Sequence, residues 1–216
     1  MIGTGLKKLD QFLGGGIKEG LITDISGQNS TGKTQLVFQI CINALKNGKE
    51  ILFQDTTGEF RPERLVEMLK TRKLEPTLLD KIKVGRITNS IQQVEYLSKT
   101  TSNKFSLIVI DNVTDLFSFE YSKKEQSFEK HLAFMKYMQN LASIAINSKI
   151  PIVVTNIVRS FNEQEEENLE KSIGMFTHIK IKLKKSTKGL LCQVVSPFIN
   201  KKFQYNITSN GLTDGS

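Results

Sequence analysis

Gly27-Gln28-Asn29-Ser30-Thr31-Gly32-Lys33-Thr34 carries the spacing G-x-x-x-x-G-K-[ST]. Glycines at these positions let the backbone wrap until successive N–H groups face one anion. A helix starting there adds unpaired donors and the positive end of its dipole. In such a loop Lys33 reaches the β- and γ-phosphates of a nucleotide, and the Thr34 hydroxyl ligates Mg2+. The flanks agree: Leu21 to Ile25 reads as a short buried strand entering the loop, and Gln35 to Leu45 as a helix leaving it. Gly27, Gln28, Asn29, Ser30, Thr31, Gly32, Lys33 and Thr34 are therefore candidate nucleotide ligands.

The rest of the composition narrows the class. A chain of 216 residues with 38% hydrophobic and 24% charged residues suits one soluble domain with a sizeable core, so residues 1–216 are read as a single unit. No apolar run approaches the ~20 residues of a membrane span, and the start of the chain lacks a signal-peptide core. A cytoplasmic protein is expected. Cys41 and Cys192 stand far apart and outside any C-x-x-C, and His131 and His178 form no cluster, so buried thiols are expected rather than a disulfide or a metal site. The net charge of +8 favours a polyanionic partner, although the nucleotide is itself an anion.

Taken in order, a short helical piece (Leu6, Leu9, Phe12, Leu13) ends at Gly14-Gly15-Gly16. After the loop and its helix, which closes at Asn47-Gly48, Glu50 to Gln54 reads as a strand. Pro62 then opens a helix to Lys70. A helical stretch near 74–81, a strand at 82–87 and a helix capped by Asn89 or Ser90 and running to Lys99 follow. Ser106 to Asp111 is an apolar run without polar alternation, the pattern of a parallel strand covered on both faces. Ligands gather at the carboxyl ends of such strands, which places Asp111 beside the loop as a holder of the Mg2+ shell. A long helix is expected over 124–147, its core stripe being Phe128, Leu132, Met135, Met138, Ala142 and Ala145. Pro151 to Thr155 is a further strand, residues 159–172 an acidic loop, and the remainder is β-rich at 177–184, 189–196 and 202–208. This order predicts an α/β fold, a mostly parallel sheet flanked by helices with an antiparallel extension at the C-terminus.

The accumulated stretches identify a resemblance. The chain resembles the RecA/RadA recombinases, most closely their short archaeal paralogue RadB. The likeness rests on Thr4-Gly5-Leu6 with Leu9-Asp10 and Gly14-Gly15-Gly16-Ile17, and on the loop followed by Gln35-Leu36. It rests equally on Asp55-Thr56, Gly58, Phe60-Arg61-Pro62-Glu63-Arg64-Leu65, Leu107 to Asn112, Thr155-Asn156, Ser196-Pro197 and Asn210-Gly211. The resemblance implies a RecA-type ATPase core, Mg-ATP bound between neighbouring subunits with Gln35 at the nucleotide, and a place near the nucleoid in DNA recombination and repair. It also implies that Arg64 stacks on the adenine, a role a planar guanidinium fills.

Departures from the family matter as much. Only 26 residues precede the loop, so the helical DNA-binding domain and the subunit-hooking linker of full-length recombinases are not expected, which argues against long filaments. Where the family has its water-activating glutamate this chain has Thr57; Glu59, two positions on, is the candidate surrogate. The γ-phosphate-sensing glutamine is replaced by Ile157, which has no side-chain donor. The stretch corresponding to the DNA-binding loop carries Glu163, Glu165, Glu166, Glu167 and Glu170, and such charges oppose binding along phosphates. If DNA is bound, Lys180, Lys182 and Lys184, alternating with Ile179, Ile181 and Leu183, offer one strand face. The same row also suits a lysine-protected edge strand. The expectation is an accessory recombination factor that binds Mg-ATP and DNA, meets a full-length recombinase and hydrolyses weakly, with Lys33 and Glu59 as its candidate catalytic residues. A DNA-dependent ATPase using Glu59, and a KaiC-like regulator that does not bind DNA, stand beside it.

Overall fold

Apolar runs that do not alternate become strands buried on both faces. In β4 (Phe105–Asp111), Leu107 and Val109 pack into one core cluster while Ile108 and Ile110 pack into the other. The molecule, a computed structural model, is described over residues 1–46, 48–98, 105–161, 164–196 and 199–215. Asn47, Lys99, Glu163 and Pro197, each used above, lie outside them.

The chain begins with α1 (Lys7–Phe12), then β1 (Ile22–Gly27), α2 (Lys33–Leu45), β2 (Glu50–Asp55) and α3 (Pro62–Thr71). A 3-10 turn over Pro76–Lys81 leads to β3 (Ile82–Arg86) and α4 (Ser90–Ser98), where Asn89 Oδ1 caps the helix by accepting Gln92 N–H at 2.8 Å. After β4 come α5 (Asp115–Glu120), α6 (Ser127–Ser148) and β5 (Ile152–Phe161). Then follow β6 (Gln164–Glu167), α7 (Glu170–Gly174), β7 (Ile179–Ser186), β8 (Gly189–Ser196), β9 (Ile199–Thr208) and β10 (Gly211–Asp214).

The strands form one sheet in the order β10-β9-β8-β7-β1-β5-β4-β2-β3, with β6 paired to β5. From β7 to β3 the pairs are parallel, and β8, β9 and β10 extend the sheet antiparallel. This is the expected α/β architecture. Parallel pairing brings the carboxyl ends of β1, β2, β4 and β5 to one side. Ile25 stands level with Thr155, and Asp55 with Asp111. α1, α2 and α3 contribute to one core cluster, and α5, α6 and α7 to the other.

Three elements differ from expectation. The buried face of α6 is Phe134, Tyr137, Met138, Leu141 and Ala145. Phe128 and Leu132, expected in the core, are 77% and 47% exposed. The sequence offers two apolar stripes, and the aromatic contacts of α5 select one: Phe117 meets Phe134 edge-on at 5.3 Å and Tyr137 at 5.6 Å. The acidic stretch is a hairpin followed by a short helix rather than a loop. β7 lies inside the sheet between β1 and β8, so it is not an edge strand.

Phe134→Ala should therefore lower unfolding free energy by about 3–5 kcal/mol, as for a buried aromatic. Phe128→Ala should change it by less than about 0.5 kcal/mol. Urea denaturation followed by circular dichroism separates the two; equal costs would return the core stripe to its sequence-based assignment.

Candidate functional site

The phosphate loop is shaped from three sides. Ser30 (φ 62°) and Gly32 (φ 88°) take left-handed conformations that fold residues 28–32 over the end of β1. A Cβ on Gly27 would stand 2.4 Å from the Leu183 carbonyl oxygen of β7, so the tight β1–β7 approach requires glycine there. Beneath the loop, the buried Tyr205 hydroxyl of β9 donates to the Thr31 carbonyl at 2.6 Å. Gln39 Nε2 of α2 donates to Leu212 O of β10 at 3.0 Å. Neither support was foreseen: β10 is four residues long, and nothing near Tyr205 points to residue 31.

Lys33 Nζ donates to the carbonyls of Gly27 (2.9 Å) and Gln28 (3.0 Å). Burial pushes its pKa below the usual lysine value, against the pull of Asp111, Glu59 and Asp115. Thr34 Oγ1 donates to Asp111 Oδ2 at 3.0 Å, and Thr155 Oγ1 donates to Asp111 Oδ1. Burial pushes the Asp111 carboxyl above the usual aspartate range, opposed by those two hydroxyls and by Lys33. A buried carboxylate beside a hydroxyl is a hard-oxygen donor set suited to Mg2+, so Thr34 and Asp111 could hold that ion as the spacing implied. These groups line a cavity of about 640 Å3, with Asn29, Ser30, Gly32 and Gln35 on the loop side. That volume suits a nucleotide-sized ligand.

The facing walls are different. Thr57 lines the cavity, but its hydroxyl donates to Asp55 Oδ1 at 3.1 Å. The Asp55 carboxylate also accepts Gly58 N–H (2.7 Å) and Phe60 N–H (3.3 Å), which fixes the turn. Glu59 is exposed and reaches the same cavity, as does Ile157. One wall residue escaped the sequence reading: Asp115, in the first turn of α5. A second helix directly after β4 would have suggested it, but α5 is too short for its periodicity to show. Arg64 is held beside the cavity rather than in its wall. Its Nε donates to Gln35 Oε1 (3.1 Å), Nη1 to Glu67 (2.9 Å) and Nη2 to the Thr208 carbonyl (2.9 Å).

The lysine row alternates as expected, with Ile179, Ile181 and Leu183 buried. Its charges are engaged, however. Lys180 Nζ lies 2.6 Å from Glu167 Oε2, 2.9 Å from Glu170 Oε1 and 3.8 Å from Asp24 Oδ2. Lys182 Nζ lies 3.1 Å from Glu170 Oε1. The acidic hairpin thus sits on the face read as a DNA surface, leaving Lys184 as the third lysine along it. Asp24 is fully enclosed, and burial pushes its carboxyl well above the usual range, reinforced by the Glu167 charge. Around it, Lys180 and Lys182 face Glu167 and Glu170. Elsewhere, Lys130, His131 and Arg159 line a cleft of about 280 Å3 with Glu167, Asn168 and Leu169.

Comparison with known proteins agrees with this fold. The Rad51 family pattern matches residues 1–215. The chain is 32% identical to the DNA repair and recombination protein RadB of Thermococcus kodakarensis, over 99% of each chain. It is 36% identical to the DNA repair and recombination protein RadA of Cenarchaeum symbiosum, over 74% of this chain and 43% of that relative. A crystal structure titled as that of the RadB recombinase superposes with a TM-score of 0.82 at 29% identity, covering 100% of both chains.

The buried acid makes a pH prediction. A raised Asp24 pKa means that the folded state holds a proton the unfolded chain releases near pH ~4. Its contribution to stability is complete below that pH and is lost as pH rises toward the folded value. Asp24→Asn keeps the shape and removes the titration. Its stability relative to the parent should therefore improve steadily as pH rises above ~5. Denaturation midpoints measured across that range check this; a constant difference would mean that Asp24 is charged in the folded protein.

Proposed function

Because the chain belongs to the Rad51 family, we propose that it is an accessory factor of DNA recombination and repair that binds Mg-ATP, meets DNA and a full-length recombinase, and turns ATP over slowly. The reading is carried by the contrast between the two sides of one cavity. Lys33, Thr34 and Asp111 line one side, the groups a Mg-triphosphate would use. Opposite them, the Thr57 hydroxyl is committed to Asp55 and Ile157 offers no side-chain donor. Loss of a positioned general base costs about 10²–10⁴-fold in rate, whereas main-chain and ammonium contacts to phosphate are untouched.

In this reading the Mg2+ supplies charge neutralisation at the phosphates, and Thr34 and Asp111 hold it. Lys33, hydrogen-bonded to the Gly27 and Gln28 carbonyls, would turn to the phosphate oxygens. Lys180 and Lys182 are left out of the DNA surface, because Glu167 and Glu170 lie 2.6 to 3.1 Å from them, whereas Arg159 is exposed and the carboxylate facing it stands 3.9 Å away. The exposed Arg159 and the half-buried Lys130, on one cleft, are the basic groups that replace them. A second reading, a working ATPase with Glu59 as base, draws on the presence of Glu59 in the cavity wall.

Mg-ATP at ~100 times its Kd should stabilise the parent protein by about 2.7 kcal/mol, and Lys33→Ala should abolish that gain in thermal melts. Equal stabilisation of both would refute the site. Turnover should stay far below the ~1–10³ per second of ordinary enzymes, with or without single-stranded DNA. A DNA-stimulated rate of ~1 per second, lost in Glu59→Gln, would replace the accessory reading with the second. For DNA, the double variant Lys130→Ala/Arg159→Ala should flatten the slope of log K against log salt by about 2. An unchanged slope would remove that cleft from the interface.

A further inference from the structure

The wall of the nucleotide cavity contains a carboxylate that nothing so far employs. Asp115 begins α5, four residues after Asp111, and shares its wall with Asn112, Thr155 and Ile157. Its Oδ1 atom is buried and accepts no hydrogen bond among the described residues; the guanidinium facing it, Arg159 Nη2, stands 3.9 Å away. A buried carboxylate oxygen without a donor is costly, and water or a ligand group that can donate will be drawn to it. The charges around it are Arg159 from β5, Lys33 from the loop and Glu59 from the facing turn. Asp115 and Lys33 line the same cavity, so a triphosphate gripped by Lys33 would lie within that wall's reach.

We infer that Asp115 binds the water that attacks the γ-phosphorus and accepts its proton, and so supports the slow hydrolysis that Thr57 cannot. This rests on the triphosphate reading of the cavity. In the step, the water oxygen bonds to the γ-phosphorus and the bridging bond to the β-phosphate oxygen breaks. The water's proton passes to Asp115 Oδ1 and leaves with inorganic phosphate, giving ADP and phosphate. Two features set Asp115 above Glu59 for this work. It projects from the first turn of a helix whose Phe117 is buried against α6, so its backbone is fixed, whereas Glu59 is exposed on a turn. Burial also pushes its carboxyl above the usual aspartate range, opposed by Arg159 and Lys33, which favours a carboxylate that takes up a proton.

The test is Asp115→Asn, which keeps the side-chain shape and removes the base. Radiolabelled ATP hydrolysis under single-turnover conditions should fall by about 10²-fold or to background, while the Kd for a non-hydrolysable ATP analogue by calorimetry stays unchanged. The parent rate should rise with pH through the Asp115 pKa, and the variant should lose that dependence. In the nucleotide-free protein, carboxyl carbon-13 titration should place Asp115 above ordinary aspartates and higher still in Arg159→Ala. Hydrolysis in Asp115→Asn equal to the parent overturns the inference, as does a loss confined to Glu59→Gln, or a parent that binds the analogue but shows no hydrolysis. A parent that fails to bind the analogue at all instead refutes the triphosphate reading beneath it.

Discussion

Side chains from three elements meet at one carboxylate, and the architecture follows from keeping it there. Asp111, at the end of β4, accepts hydroxyls from Thr34 after β1 and Thr155 on β5. Buried carboxylates are unfavourable unless donors surround them. The sheet must therefore bring β1, β5 and β4 into register to within the length of a hydrogen bond. Parallel pairing does so, since it sets Ile25 level with Thr155 and runs β1, β4 and β5 in one direction. Burial strengthens any charge interaction formed there. A carboxylate gripped by two hydroxyls and faced by one buried ammonium would suit a cation and an anion together.

What local pattern governs was readable in the residues. The loop spacing, the strand runs at 106–111 and 151–155 and the Pro62 helix start depend on neighbours a few positions away, and each appears where expected. What depends on contacts across the sheet was not. The face of α6 that goes inward is chosen by Phe117, a residue of the unforeseen α5. Tyr205 and Leu212 support the loop from some 174 positions away in the chain. The lysines of β7 were correctly assigned to one face, but alternation alone cannot say what covers that face. Here it is the hairpin carrying Glu167 and the following Glu170.

That hairpin gives the acidic stretch a physical role. Glutamates in a segment meant to lie along phosphates are self-defeating, yet here two of them neutralise the lysines of the adjoining strand. The pairing is more than a surface arrangement, because Lys180 is largely enclosed and Glu167 almost wholly so. Removing either partner would leave an uncompensated buried charge, the situation that destabilises most. Asn156 ties the cluster to the nucleotide side: it accepts the Thr114 hydroxyl and donates to Glu167 and to the Asn168 carbonyl. The contact runs through the residue next to Ile157, so a polar link between cavity and hairpin persists even though residue 157 is aliphatic.

Binding and hydrolysis place different demands on one cavity, and on the proposed reading the two would separate here. A triphosphate is held by many donors at once, so the loss of one contact on the far wall changes affinity little. Hydrolysis needs one water held at one angle, and a single misplaced carboxylate lowers the rate steeply. On the proposed reading, a threonine at position 57 would therefore act almost entirely on the second property. The Asp55 carboxylate then fixes the Thr57 hydroxyl within its own turn, which stabilises the wall in a form that presents no base. Any acid that restores turnover must come from another element, and α5 is the one whose first turn already reaches the cavity.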